Sequence, residues 1–342
     1  MTQKECVIHS LNHKETGIVP YHVDFTIQAF DRMVEHTRDP RFAQSFGTYL
    51  HSMQYWGWPT EIPEHRGFFT DAFDVTWNRS GVDKDIGVID RPVIGEPDIS
   101  LWRDPKLDET RLRAELQSIL DTAGDRFAVA GIGFSMFERA WSLCGMENTL
   151  IYMLDEPAFV HDLLDMICEY NLRIIDIANE YPFDGFYFGD DWGQQRGLIM
   201  GPRLWREFIK PRMRRMYERA HKNNKYVIQH SCGDIHELFP DIIEIGLDCY
   251  QTFQPEIYDI ARTKAEFGRD LTFWGGISTQ RLLSRATPKE VKQETMRTMR
   301  IMGKGGGYIA APTHAVSGDV PPENILAMMD VFVNQEKYLC TL

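Results

Sequence analysis

Short apolar runs alternate with longer amphipathic stretches along much of this chain. The runs are rich in β-branched and aromatic residues, and each ends in a polar or glycine-containing loop. This alternation is typical of parallel βα units, in which a buried strand leads into a helix. The pattern predicts strands at residues 17–23, 127–131, 183–188, 225–229, 247–252, 271–274 and 307–311.

Apolar residues recur at helical spacing between these runs. Thr287 is a predicted N-cap, and Pro288 suits the first position of the helix that follows it. Residues 81–94 are predicted to form a hairpin. The helical pattern covers residues 157–180, 202–222, 288–303 and 322–336, and mostly helical structure is expected over 25–65 and 103–125.

Six or seven strand–helix units within 342 residues predict an α/β fold, a (β/α)8 TIM barrel with an N-terminal helical elaboration. We expect one domain over residues 1–342, because no linker divides the chain. A doubly wound open sheet is the alternative, although no G-x-G-x-x-G motif follows the first strand. TIM-barrel active sites lie at the carboxyl ends of the strands. Polar residues directly after predicted strands should therefore meet at one mouth: Asp24, Asp190, Asp191, His230, Cys232, Gln254 and His314.

The charge of the chain narrows the set of partners. A formal net charge of −13 argues against nucleic acid and against anionic membrane surfaces, since both need clustered Lys and Arg. No apolar stretch has the length of a membrane-spanning helix or of a signal-peptide core. The 6 cysteines are scattered and follow no secretion signal, which predicts reduced thiols in the cytoplasm.

The tripeptide from His230 to Cys232, followed by Gly233, is the sharpest local chemical feature. Residues i and i+2 of an extended chain point the same way, so the imidazole and the thiolate can bind one ion. Both ligands suit zinc. Catalytic zinc usually takes three protein ligands, and His314 after another strand is the predicted third. The alternative is a hydrogen-bonded interior histidine beside a small buried cysteine.

Asp190 and Asp191 form a pair of adjacent carboxylates after a buried strand. Such a pair is unfavourable unless it is paired, bound to metal or solvated, and one member can serve as a general acid or base. The alternative is that one carboxylate caps a helix and the other faces water. Trp192 would wall a flat substrate or simply pack. Asp71 and Asp74 are interpreted as a solvated loop with a capping aspartate.

Five stretches carry a family resemblance: residues 137–150, 189–200, 230–235, 273–280 and 306–325. Across residues 5–340 the chain resembles the uroporphyrinogen decarboxylase superfamily, and most closely its zinc-dependent methyltransferases that work with corrinoid proteins. The resemblance implies a TIM barrel and zinc bound by His230 and Cys232. Coenzyme M methyltransferases have a further Cys after the last strand, whereas this chain has His314 there.

The resemblance implies a zinc-dependent methyltransferase. It would move a methyl group between a small donor, such as an aryl methyl ether or another O-methyl compound, and a corrinoid cofactor on a partner protein. Zinc would polarise the oxygen or sulfur of the donor or acceptor. Asp190 or Asp191 would orient the zinc ligands or protonate the leaving group, and His314 is also a catalytic candidate. The candidate substrate-binding residues are Asp24, Trp192, Gln254, Trp274 and Tyr308.

Two alternatives remain open on the sequence. The first is a decarboxylase of the same fold, with Asp24, Asp71 or Asp74 as the key carboxylates. Uroporphyrinogen decarboxylases resemble one another in an Arg-rich N-terminal motif that grips substrate carboxylates, but residues 20–25 here contain no Arg. The second alternative is a barrel that binds a corrinoid or tetrapyrrole without turnover. The converging His, Cys and Asp residues argue against this second alternative.

Overall fold

The computed structural model describes residues 1–81 and 86–339. The strands are β1 (Leu50–Tyr55), β2 (Thr60–Glu61), β3 (Phe68–Thr70), β4 (Thr76–Asn78), β5 (Val88–Ile89), β6 (Phe127–Ile132), β7 (Gly185–Gly189), β8 (Gly193–Gln194), β9 (Gly197–Leu198), β10 (Tyr226–His230), β11 (Cys249–Phe253), β12 (Thr272–Ile277) and β13 (Tyr308–Pro312). The helices are α1 (Gln3–Leu11), α2 (Ile27–Thr37), α3 (Glu109–Ala123), α4 (Phe137–Cys144), α5 (Met146–Asp155), α6 (Pro157–Ala178), α7 (Gly201–Leu204), α8 (Lys210–His221), α9 (Phe239–Glu244), α10 (Ile260–Phe267), α11 (Pro288–Gly303), α12 (Pro322–Val333) and α13 (Gln335–Leu339). Short 3-10 turns lie at Phe42–Phe46, Ile99–Leu101 and His236–Leu238, and π-helical turns at Trp205–Ile209 and Thr279–Leu283.

Seven parallel strands of the described chain form one curled sheet in the order β1-β6-β7-β10-β11-β12-β13. Most strands are buried along their whole length, as in β6 and β12, because helices cover the outside and side chains fill the inside. Six of these strands lie at predicted runs. The predicted α/β barrel is therefore confirmed.

Residues 17–23, predicted as the first strand, close the barrel but form only an isolated bridge and no regular strand. Tyr21 bridges Ala310 of β13 in parallel, and the backbone N–H of Tyr49 donates to the carbonyl of Tyr21 at 3.0 Å. This segment therefore occupies the eighth position, between β13 and β1. Pro20 has no backbone N–H to donate, which interrupts the ladder at this point.

Helix α1 lies against one end of the barrel interior. Val7 and Leu11 pack in one apolar cluster with residues from all seven strands of the sheet, among them Leu50, Phe127 and Trp274. The Ser10 hydroxyl also donates to the carbonyl of Tyr308, the first residue of β13, at 2.7 Å. With the amino-terminal end of the barrel covered in this way, the open end is the carboxyl end of the strands.

Two expectations from the sequence are wrong in part. Residues 25–65 were expected to be mostly helical, but they include β1, all six residues of which pair with β6. The hairpin expected over residues 81–94 begins earlier, because β4 pairs with β5 in the antiparallel sheet β2-β3-β4-β5. Residues 82–85 of that prediction lie outside the described chain.

Helix α11 shows why the helical predictions succeed. The Thr287 side chain accepts the backbone N–H of Glu290, and Glu290 accepts the backbone N–H of Thr287, which together form a capping box. Pro288 occupies the first turn, as predicted. The capping signals are local in sequence, so they could be located without knowledge of the fold.

Candidate active site

A cavity of about 500 Å³ opens at the carboxyl ends of the barrel strands. Four predicted site residues line it: Asp24, Asp191, His230 and His314. No Lys or Arg occurs among the described residues of its wall. The polar residues that line it are Asp24, Ser52, Gln54, Glu138, Tyr187, Asp191, His230, Gln251 and His314.

His230, Cys232 and His314 form a candidate metal centre at this cavity. One ligand atom from each side chain lies within 4.8 Å of the others. Nε2 of His230 is 3.6 Å from Sγ of Cys232, and the two imidazole ring centroids are 5.9 Å apart. One thiolate and two imidazoles match the donor set that zinc prefers. The residues present therefore fit a zinc ion.

Gln251 and Tyr187 orient the imidazole of His230. Nδ1 of His230 is hydrogen-bonded to Oε1 of Gln251, and the hydroxyl of Tyr187 donates to the same oxygen at 2.9 Å. Because an amide oxygen only accepts, Nδ1 carries the proton of this hydrogen bond, and Nε2, which faces Cys232 and Asp191, is the nitrogen left for a metal. An oriented imidazole of this kind is the usual state of a metal-binding histidine.

Gly233 brings the loops after β7 and β10 into contact. Its φ is +80°, and a Cβ at this position would lie 2.2 Å from the carbonyl carbon of Gly193. Only glycine tolerates both conditions. The close approach places the carboxylate of Asp191 where it accepts the backbone N–H of Cys232 at 2.7 Å and lies 3.3 Å from Nε2 of His230.

The electrostatics of this cluster favour a cation. Burial would lower the pKa of His230, but Tyr187, Cys232 and Asp191 outweigh burial and raise it well above its ordinary value. Burial would raise the pKa of Asp191, but its contacts with His230 and Cys232 lower it instead, so this carboxylate is ionised. Burial, followed by the charge of His230, lowers the pKa of His314 and keeps this imidazole neutral.

Asp190 points away from the cavity. Its carboxylate accepts the backbone N–H groups of Met136, Phe137 and Glu138 at 2.8–3.1 Å, and the indole N–H of Trp192 at 2.5 Å. Burial raises the pKa of Asp190 to about 6, against the effect of these four donors. Asp190 thus fixes the amino terminus of α4. Trp192, fully buried, belongs to the same arrangement and does not line the cavity.

Glu138 is a cavity residue that the sequence did not single out. It is the second residue of α4 and lines the same wall as Asp191. Burial, followed by the charges of Asp191 and Asp190, raises the pKa of Glu138 well above its ordinary value. This raised pKa favours the protonated form of its carboxyl group. A glutamate in the first turn of a helix is common, so its sequence position carries no functional signal.

The remaining predicted substrate-binding residues occupy different places. Asp24 lines the cavity, with its carboxylate 2.9 Å from Nε2 of His22. The side-chain oxygen of Gln254 accepts the backbone N–H of Gly233 at 2.9 Å and so supports the loop that carries Cys232. Trp274 packs inside the barrel in the cluster that contains Leu50 and Phe127.

Tyr308 lies on the other side of the sheet. Its hydroxyl donates to the carbonyl of Gly275 at 2.8 Å, and a Cβ added to Gly276 would contact both Tyr308 and Thr298 of α11. Tyr308 therefore sits between the sheet and α11, away from the cavity. Asp71, interpreted as solvated, is buried and forms an ion pair with Arg139 at 2.7 Å, so that interpretation is wrong.

Comparison with known proteins agrees with this fold. The profile of the uroporphyrinogen decarboxylase (URO-D) family matches residues 80–334. This chain therefore belongs to the uroporphyrinogen decarboxylase family, as the resemblance predicted.

Two relatives are methyltransferases, in agreement with the predicted branch of the family. A methylated-thiol–coenzyme M methyltransferase from Methanosarcina mazei is 23% identical over 240 residues, which cover 69% of this chain. The match spans 62% of the length of that relative. A solved methyltransferase structure from Methanosarcina mazei superposes with a TM-score of 0.75 and 17% identity, covering 98% of this chain and 99% of the other. Among the described residues, no helix is long and apolar enough to cross a membrane.

Proposed function

We propose that this protein is a zinc-dependent methyltransferase that moves a methyl group between a small methyl donor and a corrinoid cofactor on a partner protein. The convergence of His230, Cys232 and His314 at the barrel mouth carries the proposal. The methyltransferase relatives support it. We further propose that residues 1–342 act as one domain in the reducing environment of the cytoplasm, where the described cysteines are free thiols.

Zinc held by His230, Cys232 and His314 would supply Lewis-acid polarisation of the oxygen or sulfur that carries the methyl group. The methyl carbon leaves without the electron pair of its bond, so the oxygen or sulfur keeps that pair and then takes up a proton. Glu138 lines the cavity wall and has a raised pKa, so it is placed to provide this proton. Asp191 and Gln251 hold the ligand loop and the His230 ring in position.

Asp190 acts at one remove from the reacting atoms in this proposal. It holds the amino terminus of α4, and α4 places Glu138 in the cavity wall. We therefore keep the prediction that Asp190 helps to orient the site. The proton transfer that was predicted for Asp190 or Asp191 is assigned to Glu138 instead. Trp192 acts with Asp190 as a positioning residue.

The cavity disfavours the decarboxylase alternative. A substrate with many carboxylates requires cations, but the wall has three acidic residues and no Lys or Arg among its described members. Asp71, a candidate carboxylate for decarboxylation, already pairs with Arg139 and also accepts the indole N–H of Trp77 at 3.1 Å. Asp71 is therefore not available to a substrate.

Metal content and methyl transfer test the proposal together. Protein purified without added metal is expected to hold about one zinc per chain. With methylcobalamin as the methyl source and a thiol or phenol as acceptor, loss of the methyl–cobalt absorption band should depend on that zinc. Cys232→Ala should abolish both properties, whereas Cys6→Ala, which removes a buried thiol from α1, should keep both.

Two outcomes would contradict the proposal. One is wild-type protein that contains no zinc and cannot be loaded with it. The other is demethylation of methylcobalamin by Cys232→Ala at the wild-type rate. A corrinoid spectrum that shifts on binding, without any product, would instead favour the non-catalytic barrel.

A further inference from the structure

A second, apolar cavity of about 460 Å³ adjoins the metal cavity. We name it the aromatic chamber and define it by Trp77, Phe134, Trp141, Val88, Ile89 and Met146, all of which line it. It lies between the small antiparallel sheet and the helices α4 and α5. Nothing in the proposed zinc chemistry requires this space.

The aromatic chamber and the metal cavity share part of their walls. Phe134 and Glu138 line both. Phe134 follows β6 at the barrel mouth, and Glu138 is the proposed acid of the metal cavity. The two cavities therefore meet at Phe134 and Glu138.

The rings of the chamber are held in fixed positions. The Phe134 ring centroid lies 5.2 Å from that of Trp77 at an interplanar angle of 72°, and 5.8 Å from that of Trp141 at 60°. These are the tilted arrangements that aromatic pairs prefer. Trp77 is anchored because its indole N–H donates to the buried carboxylate of Asp71 at 3.1 Å.

Phe134 also has an unusual backbone conformation. Its φ is +52°, in the left-handed region that bulky side chains avoid. Such conformations cluster at ligand-binding positions, where the surrounding structure holds them. The outer rim of the chamber exposes apolar surface, since Val88 is 66% exposed and Met146 is 38% exposed. Exposed apolar surface around a cavity is typical of a ligand site.

We propose that the aromatic chamber binds the aromatic ring of the methylated substrate, while its O-methyl or S-methyl group lies in the metal cavity. This inference rests on the proposed function and names the substrate class for it. An apolar cavity of about 150 Å³ can hold a benzene ring, so this chamber has room for one ring with substituents. Asp90 and Arg91 in the lining allow polar substituents on the ring.

Direct binding of anisole, with dimethyl ether as the probe that lacks the ring, tests the inference. Dissociation constants measured by ligand-detected NMR should be at least tenfold lower for anisole. Met146→Trp fills the chamber and should weaken anisole binding at least tenfold. Met166→Trp is the matched control, because Met166 in α6 is 37% exposed and lies outside the chamber lining, so anisole should bind it as it binds the wild type.

A second variant guards against misfolding of the first. Met146→Glu places a carboxylate in the apolar chamber and should give a similar loss of anisole binding. The inference is overturned if anisole binds no better than dimethyl ether, or if both Met146 variants bind anisole as the wild type does.

Cys232→Ala separates this inference from the proposed function. It removes a metal ligand but leaves the chamber intact, so it should still bind anisole in a manner that depends on Met146. Failure of zinc binding with anisole binding preserved would refute the zinc chemistry alone. Zinc-dependent transfer with no preference for the ring would refute the chamber alone.

Discussion

Replacing Asp190 by alanine removes the acceptor of four buried donors. The carboxylate binds the backbone N–H groups of Met136, Phe137 and Glu138 and the indole N–H of Trp192. Asp190 and Trp192 are both 0% exposed, so water does not reach this arrangement in the native fold. The substitution therefore tests whether Asp190 acts mainly through stability and positioning.

The magnitude follows from the number of donors. A buried donor without a partner costs about 1–3 kcal/mol, and loss of a helix cap costs about 0.5–2 kcal/mol. Water that enters the space left by the carboxylate satisfies some of the donors. We therefore expect Asp190→Ala to lower the free energy of unfolding by about 3–5 kcal/mol. Asp190→Asn should lower it less, because the amide retains one accepting oxygen.

Urea denaturation followed by circular dichroism measures this loss through the midpoint and slope of the transition. Asp191→Ala is the matched control, because Asp191 lines the cavity and accepts a single backbone N–H. It should lower the free energy of unfolding by about 1–2 kcal/mol and zinc affinity by about 10–100-fold. Asp190→Ala that unfolds within about 1 kcal/mol of wild type and keeps wild-type methyl transfer would refute both the stabilising and the positioning role.

Three further predictions follow from individual contacts. Gln251→Leu should raise the zinc dissociation constant about 10–100-fold in competition with a chelator, because it removes the acceptor that orients the metal histidine; unchanged affinity would contradict this. Arg139→Met should lower the free energy of unfolding by about 3–5 kcal/mol in urea, because the Asp71 carboxylate stays buried without its counter-charge; a loss under about 1 kcal/mol would contradict this. The hydrogen bond with Asp248 raises the pKa of His221, so the pair stabilises the fold below the unfolded-state pKa of about 6.5 and loses this effect as pH rises through the higher folded-state value. His221→Gln should therefore be destabilised by about 0.5 kcal/mol more at about pH 5.5 than at about pH 9, and an equal effect at both pH values would oppose this assignment.

The strands that the sequence could locate are those whose runs are apolar on both faces. Residues 127–131 are such a run, and β6 spans Phe127–Ile132. Strand β1, Leu50–Tyr55, escaped prediction because none of its six residues is β-branched and it contains polar His51, Ser52 and Gln54. Its pairing with β6 fixes it as a strand, and this pairing partner lies more than seventy residues away.

The site could be predicted where its residues directly follow strands. His230, Cys232 and His314 each come at the end of an apolar run, and barrel geometry then brings them together. Gln251 was within reach as well, because it is a polar residue inside the apolar strand β11. The sequence could not predict that Asp191 faces the cavity while Asp190 holds the amino terminus of α4. Adjacent residues point to opposite sides of the chain, and no local feature shows which side faces the cavity.

X-ray absorption at the zinc edge of the metal-loaded protein tests the central claim most directly. We predict one sulfur ligand at about 2.3 Å and two nitrogen ligands at about 2.0–2.1 Å. The sulfur contribution should vanish in Cys232→Ala, and one nitrogen should be lost in His314→Ala. A zinc environment with no sulfur in the wild type, or one that retains sulfur in Cys232→Ala, would contradict the proposed metal centre.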